Sequence, residues 1–130
     1  MSGALALQTA VRAALIGTDA LTDWPVLDGP DASASPPYAT LGPDLIVEAG
    51  GKGGARLRRH RFAVTLWIGA RAVAPLKPAM AAVEAAVEGM GDDLGSVRLV
   101  EVRFLRAFTR RDAWRHLVRG EIEFEALVEG

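Results

Sequence analysis

The chain has 130 residues, half of them apolar and about a quarter charged, with a formal net charge of −1 and no cysteine. That is the length of one domain with one core, residues 1–130, and it excludes disulfides and thiolate metal sites. No stretch reaches the roughly 20 consecutive apolar residues of a membrane-spanning helix, and no basic segment precedes an apolar run at the start, so the expectation is a soluble chain made in the cytoplasm.

In chain order, Ala4 to Ile16 reads as a helix, because Leu7, Val11, Ala14 and Leu15 share one face, with Ser2 before it and Gly17 as its stop. Thr18 to Pro37, rich in Asp, Pro, Gly and Ser, reads as an irregular connection in which Trp24-Pro25-Val26-Leu27 is a short extended piece docked on the body. Tyr38 to Leu41 is a short strand candidate, and Leu45 to Val47 extends it or pairs with it. Ala49 to Gly54 is a glycine-rich loop. It fails as a phosphate loop, since Gly53 follows Lys52 where Ser or Thr is needed.

Arg58 to Gly69 is the clearest strand, with Phe62, Val64, Leu66 and Ile68 on one face and Arg61, Ala63, Thr65 and Trp67 on the other. Ala72 to Val87 reads as a helix on the stripe Leu76, Met80, Val83, Val87, with Pro75 and Pro78 in its first turn and Gly89 as its stop. The last third reads as a β-hairpin. Pairing like charges across strands is unfavourable, so the favoured register sets Arg103 opposite Glu121, Val102 opposite Ile122, Val100 opposite Phe124, and Phe104 over Gly120. Its tip then lies at Arg110 to Trp114, turning on Arg111, Asp112 and Ala113. The expected fold is α+β: an antiparallel sheet of three to five strands with two helices packed on one face.

Charge is unevenly spread. Residues 1–51 hold Arg12 against Asp19, Asp23, Asp28, Asp31, Asp44 and Glu48; Lys52, Arg56, Arg58, Arg59 and Arg61 then follow without an acid. A second basic stretch runs through Arg98, Arg103, Arg106, Arg110, Arg111, Arg115 and Arg119. Such asymmetry marks either a binding face or surfaces that neutralise one another within the fold or between copies.

Catalytic signals are sparse, and no catalytic, cofactor-binding or metal-binding residue is assigned. His60 and His116 both fall in expected strands beside arginines, and no HxH or HxxxH spacing or His/Asp cluster marks a metal site. The serines sit in expected loops with no histidine nearby in sequence. Glu121, Glu123 and Glu125 share one side of the last strand at about 6.6 Å intervals, a spacing that suits either acid–base work or a solvated face answered by arginines such as Arg103.

The order of these features resembles the small phage tail-terminator, or tail-completion, proteins that also occur in gene transfer agents. The resemblance rests on the helix Leu7-Gln8-Thr9-Ala10-Val11 through Leu15, then Asp28-Gly29-Pro30, and the strand start Pro37-Tyr38-Ala39-Thr40-Leu41-Gly42. It continues through the basic run His60 to Trp67, the Ala-rich helix, the turn Arg110-Arg111-Asp112 and the ending Glu121 to Leu127. After Trp67 this chain has Ile68-Gly69 where family members often have serine.

The resemblance implies a non-enzymatic virion subunit at the head-proximal end of a tail. It implies a homohexameric ring on the tail tube protein that stops tube growth and meets a head-side connector or stopper protein. DNA passes through the ring without specific binding, and neither a membrane nor a cofactor takes part. The candidate subunit interface is Arg56, Arg58, Arg59, Arg61, Arg110, Arg111 and Asp112. Two other readings stay open: a nucleic-acid-binding module using its Arg-rich strands with Trp67 and Trp114 as stacking platforms, and a small dimeric enzyme of ferredoxin-like shape.

Overall fold

A mixed six-stranded sheet carries two helices on one face. The computed structural model describes residues 3–27, 35–42, 44–50 and 56–130. The elements are α1 (Gly3–Ile16), a 3-10 turn (Asp19–Leu21), β1 (Val26–Leu27), β2 (Tyr38–Leu41), β3 (Leu45–Gly50), β4 (Leu57–Gly69), α2 (Leu76–Glu88), β5 (Arg98–Asp112) and β6 (Leu117–Glu129). The α+β class agrees with expectation. The strand count of six exceeds the three to five read from the sequence, because the Val26-Leu27 piece and the Leu45 segment each form a strand of their own.

α1 buries Ala6, Leu7, Val11 and Leu15 on one stripe, the pattern that specifies it. It stops at Gly17, and the Thr18 hydroxyl donates to the Ala14 carbonyl at 2.7 Å, satisfying one of the carbonyls the helix end leaves open. Beyond it Trp24 and Val26 are buried, and β1 pairs in parallel with β2. α2 begins at Leu76 and not at Ala72. Pro75 disfavours the helical region for Ala74 before it, whereas Pro78 falls in the first turn, where no amide donor is required.

β4 is the spine. Its C-terminal half pairs with β2 (Tyr38 opposite Trp67, Leu41 opposite Val64), and its N-terminal half pairs with β3 (Leu45 opposite Arg61, Glu48 opposite Arg58). Along its other side β6 runs antiparallel for its full length, from Leu57 opposite Glu129 to Gly69 opposite Leu117. β5 then closes the far margin of the sheet.

The β5–β6 hairpin differs from its expected register. Arg103 lies opposite Glu125, Phe104 opposite Phe124 and Thr109 opposite Gly120; the turn is Ala113 to His116, beyond the last pair Asp112 and Leu117. Two slips, between Leu99 and Glu101 and between Phe104 and Arg106, leave Val100 and Leu105 as bulged residues. What occupies the space over Gly120 is α2: a Cβ there would stand 2.5 Å from Met80 Sδ and 3.1 Å from Leu76 Cδ1. Glycine at 120 lets the helix approach the strand, and Phe104 instead meets the Phe124 ring edge-on at 6.4 Å. His116 is not in a strand. It takes the left-handed conformation in the turn, at φ 53°.

The core lies between this sheet face and the helices, around Val64, Leu66, Val83, Ile122, Phe124 and Ala126. A second, smaller cluster of Tyr38, Trp67 and Leu117 sits on the opposite sheet face. There Trp67 Nε1 donates to Thr40 Oγ1 at 3.1 Å, so the indole is both packed and satisfied.

Candidate assembly interface

Alternation along the strands sends the odd-numbered residues of β4 and β6 to the face away from the helices. On that face β6 supplies a central row of Glu121, Glu123, Glu125 and Glu129. β4 flanks it with Arg59 and Arg61, and β5 with Arg98, Arg103 and Arg106. The rows interlock as cross-strand pairs: Arg98 Nε to Glu129 Oε1 at 3.3 Å, and Arg106 to Glu123.

Glu125 is the centre of this network. It is 6% exposed and accepts from three guanidinium groups: Arg59 Nη1 at 3.3 Å, Arg61 Nε at 3.2 Å and Arg103 Nη2 at 3.1 Å. Burial pushes its carboxyl up. The hydrogen bonds from Arg61 and Arg103, with the charges of Arg103 and Arg59, outweigh that effect and hold it below the usual carboxylate range. The glutamate row is therefore an ionic clamp across three strands, with arginines on both flanks.

The candidate interface residues separate into two places. Arg56, Arg58, Arg59 and Arg61 lie at the start of β4; Arg110, Arg111 and Asp112 lie at the end of β5. In the common β6 register these are the rows of Leu127 and Arg119, eight residues or about 26 Å apart. Arg59 and Arg61 are engaged by Glu125, and Arg58 Nε lies 3.6 Å from Glu48 Oε2. The Arg56 carbonyl accepts from the Gly130 amide at 3.0 Å. Arg110 sits 5.8 Å from the Phe108 ring centre, and Arg111 stands opposite Val118. Asp112 caps the hairpin turn, its Oδ1 accepting from the amides of Trp114 (3.1 Å) and Arg115 (3.3 Å). Trp114, at the tip, is 95% exposed.

His60 is buried with its Nδ1 3.2 Å from Asp44 Oδ2, which ties the entry of β3 to β4. Among the described residues no group of three His, Cys, Asp or Glu is placed to hold a metal ion. Of the glycine-rich loop expected over Ala49 to Gly54, Ala49 and Gly50 instead end β3, and the remainder lies outside the described residues.

The strand piece expected at Leu45 to Val47 runs on to Gly50 as β3. Leu45, Ile46 and Val47 are consecutive and exposed (59%, 41% and 51%), on a strand whose one ladder partner among the described residues is β4. The signal was present as an apolar run without alternation, which a strand with one solvated face does not show. At the opposite margin, β5 and α2 border an open groove of about 360 Å³, with Lys77, Met80, Phe104 and Ala107 among its lining.

The family model for tail completion protein gp17 matches residues 6–129. A chain in the solved structure of the "virion of native gene transfer agent (GTA) particle" has a TM-score of 0.83 to this one, at 34% identity, over 98% of this chain and 97% of that chain. No curated protein matches. The chain belongs to the tail completion protein gp17 family.

Proposed function

We propose that this member of the tail completion protein gp17 family is a structural subunit of a phage-like tail, one domain spanning residues 1–130, that acts by assembly and not by catalysis. The observation that carries the reading is near full-length likeness, at 34% identity, to a chain in a gene transfer agent virion. In this reading six copies close into a ring at the head-proximal end of the tail. One side of the ring seats on the tail tube protein and ends its growth; the other meets a head-side connector or stopper protein.

Head-to-tail closure requires two different surfaces on each copy. The two separated arginine groups, Arg56, Arg58, Arg59 and Arg61 and the group Arg110, Arg111 and Asp112, are candidates for contacts with the acidic N-terminal third of a neighbour. DNA passes the ring without specific binding. The pairing of arginines with the β6 glutamates supports this, because an arginine held by a carboxylate is a weaker phosphate ligand than a free one.

The test is native mass across a concentration series, with and without tail tube subunits from the same gene cluster. Six copies in a closed ring, alone or on tube, are expected. A monomer or dimer indifferent to tube, with strongly salt-dependent DNA binding, would overturn the reading in favour of a nucleic-acid module. Within the ring, charge reversal at Arg58 and Arg59 should alter assembly and its salt dependence; unchanged assembly would remove those residues from the interface.

A further inference from the structure

We infer that β3 of one copy adds antiparallel to the free edge of β5 of the next, making the sheets continuous around the assembly; this rests on the ring reading above. Three observations carry it. First, β3 and β5 lie on opposite margins of the sheet, each with one ladder partner among the described residues. A head-to-tail contact joins two such unlike surfaces.

Second, the directions agree. β3 and β6 both run antiparallel to β4, and β5 runs antiparallel to β6. In a closed sheet the strands tilt to the ring axis and neighbouring edges are staggered, which keeps those directions and slides β3 along β5, so β3 of the neighbour meets β5 antiparallel, with the helices of every copy on the same side of the wall.

Third, the chemistry is complementary. From Asp44 to Gly50 the chain reads Asp-Leu-Ile-Val-Glu-Ala-Gly, with Asp44 and Glu48 giving −2. β5 carries Arg98, Arg103, Arg106, Arg110 and Arg111 against Glu101 and Asp112, five minus two, giving +3; Arg98, Arg103 and Arg106 answer β6 glutamates within the chain, which leaves Arg110 and Arg111 as the arginines turned to a neighbour. The first part of the β5 edge is bridged by Asp93 at Arg98, with the Leu99 amide donating to the Asp92 carbonyl, and broken by the bulges at Val100 and Leu105, which leaves Arg106 to Asp112 as its longest regular run. The groove between α2 and β5 flanks that run. Ile46, which stands opposite His60 and so points to the helix side, is the β3 side chain placed to enter it. β3 itself carries neither proline nor lysine, the usual guards of an unpaired edge.

The absence of cysteine makes the test clean. Within one chain β3 and β5 are three strand spacings apart, about 14 Å, too far for a disulfide, whose Cα atoms lie within about 7 Å. Ile46→Cys is therefore combined in turn with Phe104→Cys, Ala107→Cys and Thr109→Cys. Each variant is checked for an unchanged unfolding midpoint and oxidised with tube protein present. One pair should give a ladder of covalent multimers up to six, while each single variant stays uncross-linked. Rings of native mass six with no cross-link from any pair would overturn the β3–β5 contact and leave the ring reading standing. Cross-linking by Ile46→Cys alone would mean that β3 meets β3, and would overturn it too. A chain of monomer mass with tube present would overturn both.

Discussion

The two halves of β4 share one strand and one partner in β6, yet they do different work. From Val64 to Ile68 every residue is buried, with the helices over one face and the Tyr38–Trp67–Leu117 cluster over the other. From Leu57 to Arg61 only His60 is buried, and the neighbouring β3 is exposed along most of its length. The first half is built like the interior of a sandwich and fixes the fold. The second is a ribbon held by ion pairs, with apolar surface left over. A sheet that holds itself together at one end can present the other to a partner.

The largest expected effect lies in the first half. Leu66→Ala removes a fully buried β4 side chain from the core beneath the helices, and should cost about 2–5 kcal/mol in a urea titration. A loss below 1 kcal/mol would mean the C-terminal half is not the stabilising one. Glu125→Gln probes the second half. It should cost about 1.5–3 kcal/mol near neutral pH, since three arginines lose a charged acceptor, though their own exposure screens part of that.

The sign with pH follows from the lowered carboxyl of Glu125. A group ionised more readily in the folded chain contributes stability that is fully present above its unfolded pKa. That contribution is lost as pH falls through the folded value. Below the usual carboxylate range the difference between wild type and Glu125→Gln should therefore shrink. A difference that stays constant down to the acid transition would remove the ionic clamp.

Gly120→Ala tests the joint between the halves and α2. The added methyl meets Met80 and Leu76, and overpacking of this kind should cost about 1–3 kcal/mol. If Gly120→Ala costs little further in a Met80→Ala background, the helix-to-strand approach is the cause; an unchanged cost in that background would place it in the backbone.

What the sequence disclosed follows the same division. Phe62, Val64, Leu66 and Ile68 alternate, and β4 was expected over 58–69 and found over 57–69. The stripes Leu7, Val11, Leu15 and Leu76, Met80, Val83, Val87 named the buried helix faces. These signals come from burial on one face, which period alone reveals. The hairpin register is not legible in pair rules over short windows, because β5 runs 15 residues and slips twice. A bulge leaves no mark on apolar spacing, and the glycine was explained by a helix remote in sequence. Nor could Glu125 be told from Glu121 and Glu123, since its burial depends on Arg59 and Arg61 arriving from β4 in one particular register.

The smallest effect on stability should fall on β3, where the effect on assembly should be total. Leu45 and Val47 are more than half exposed and touch neither core cluster. The double variant Leu45→Lys/Val47→Lys should leave the chain within about 0.5 kcal/mol of wild type, as surface substitutions do. Two lysines on that edge also add positive charge toward the arginines of β5, and an edge lysine opposes further strand pairing. Native mass should then show monomer under conditions where the unaltered chain forms rings. Loss of stability together with assembly would make β3 part of the folding unit. Full assembly of a normally stable variant would leave its apolar run without a partner on this chain, and would turn the search toward the tube and the head connector.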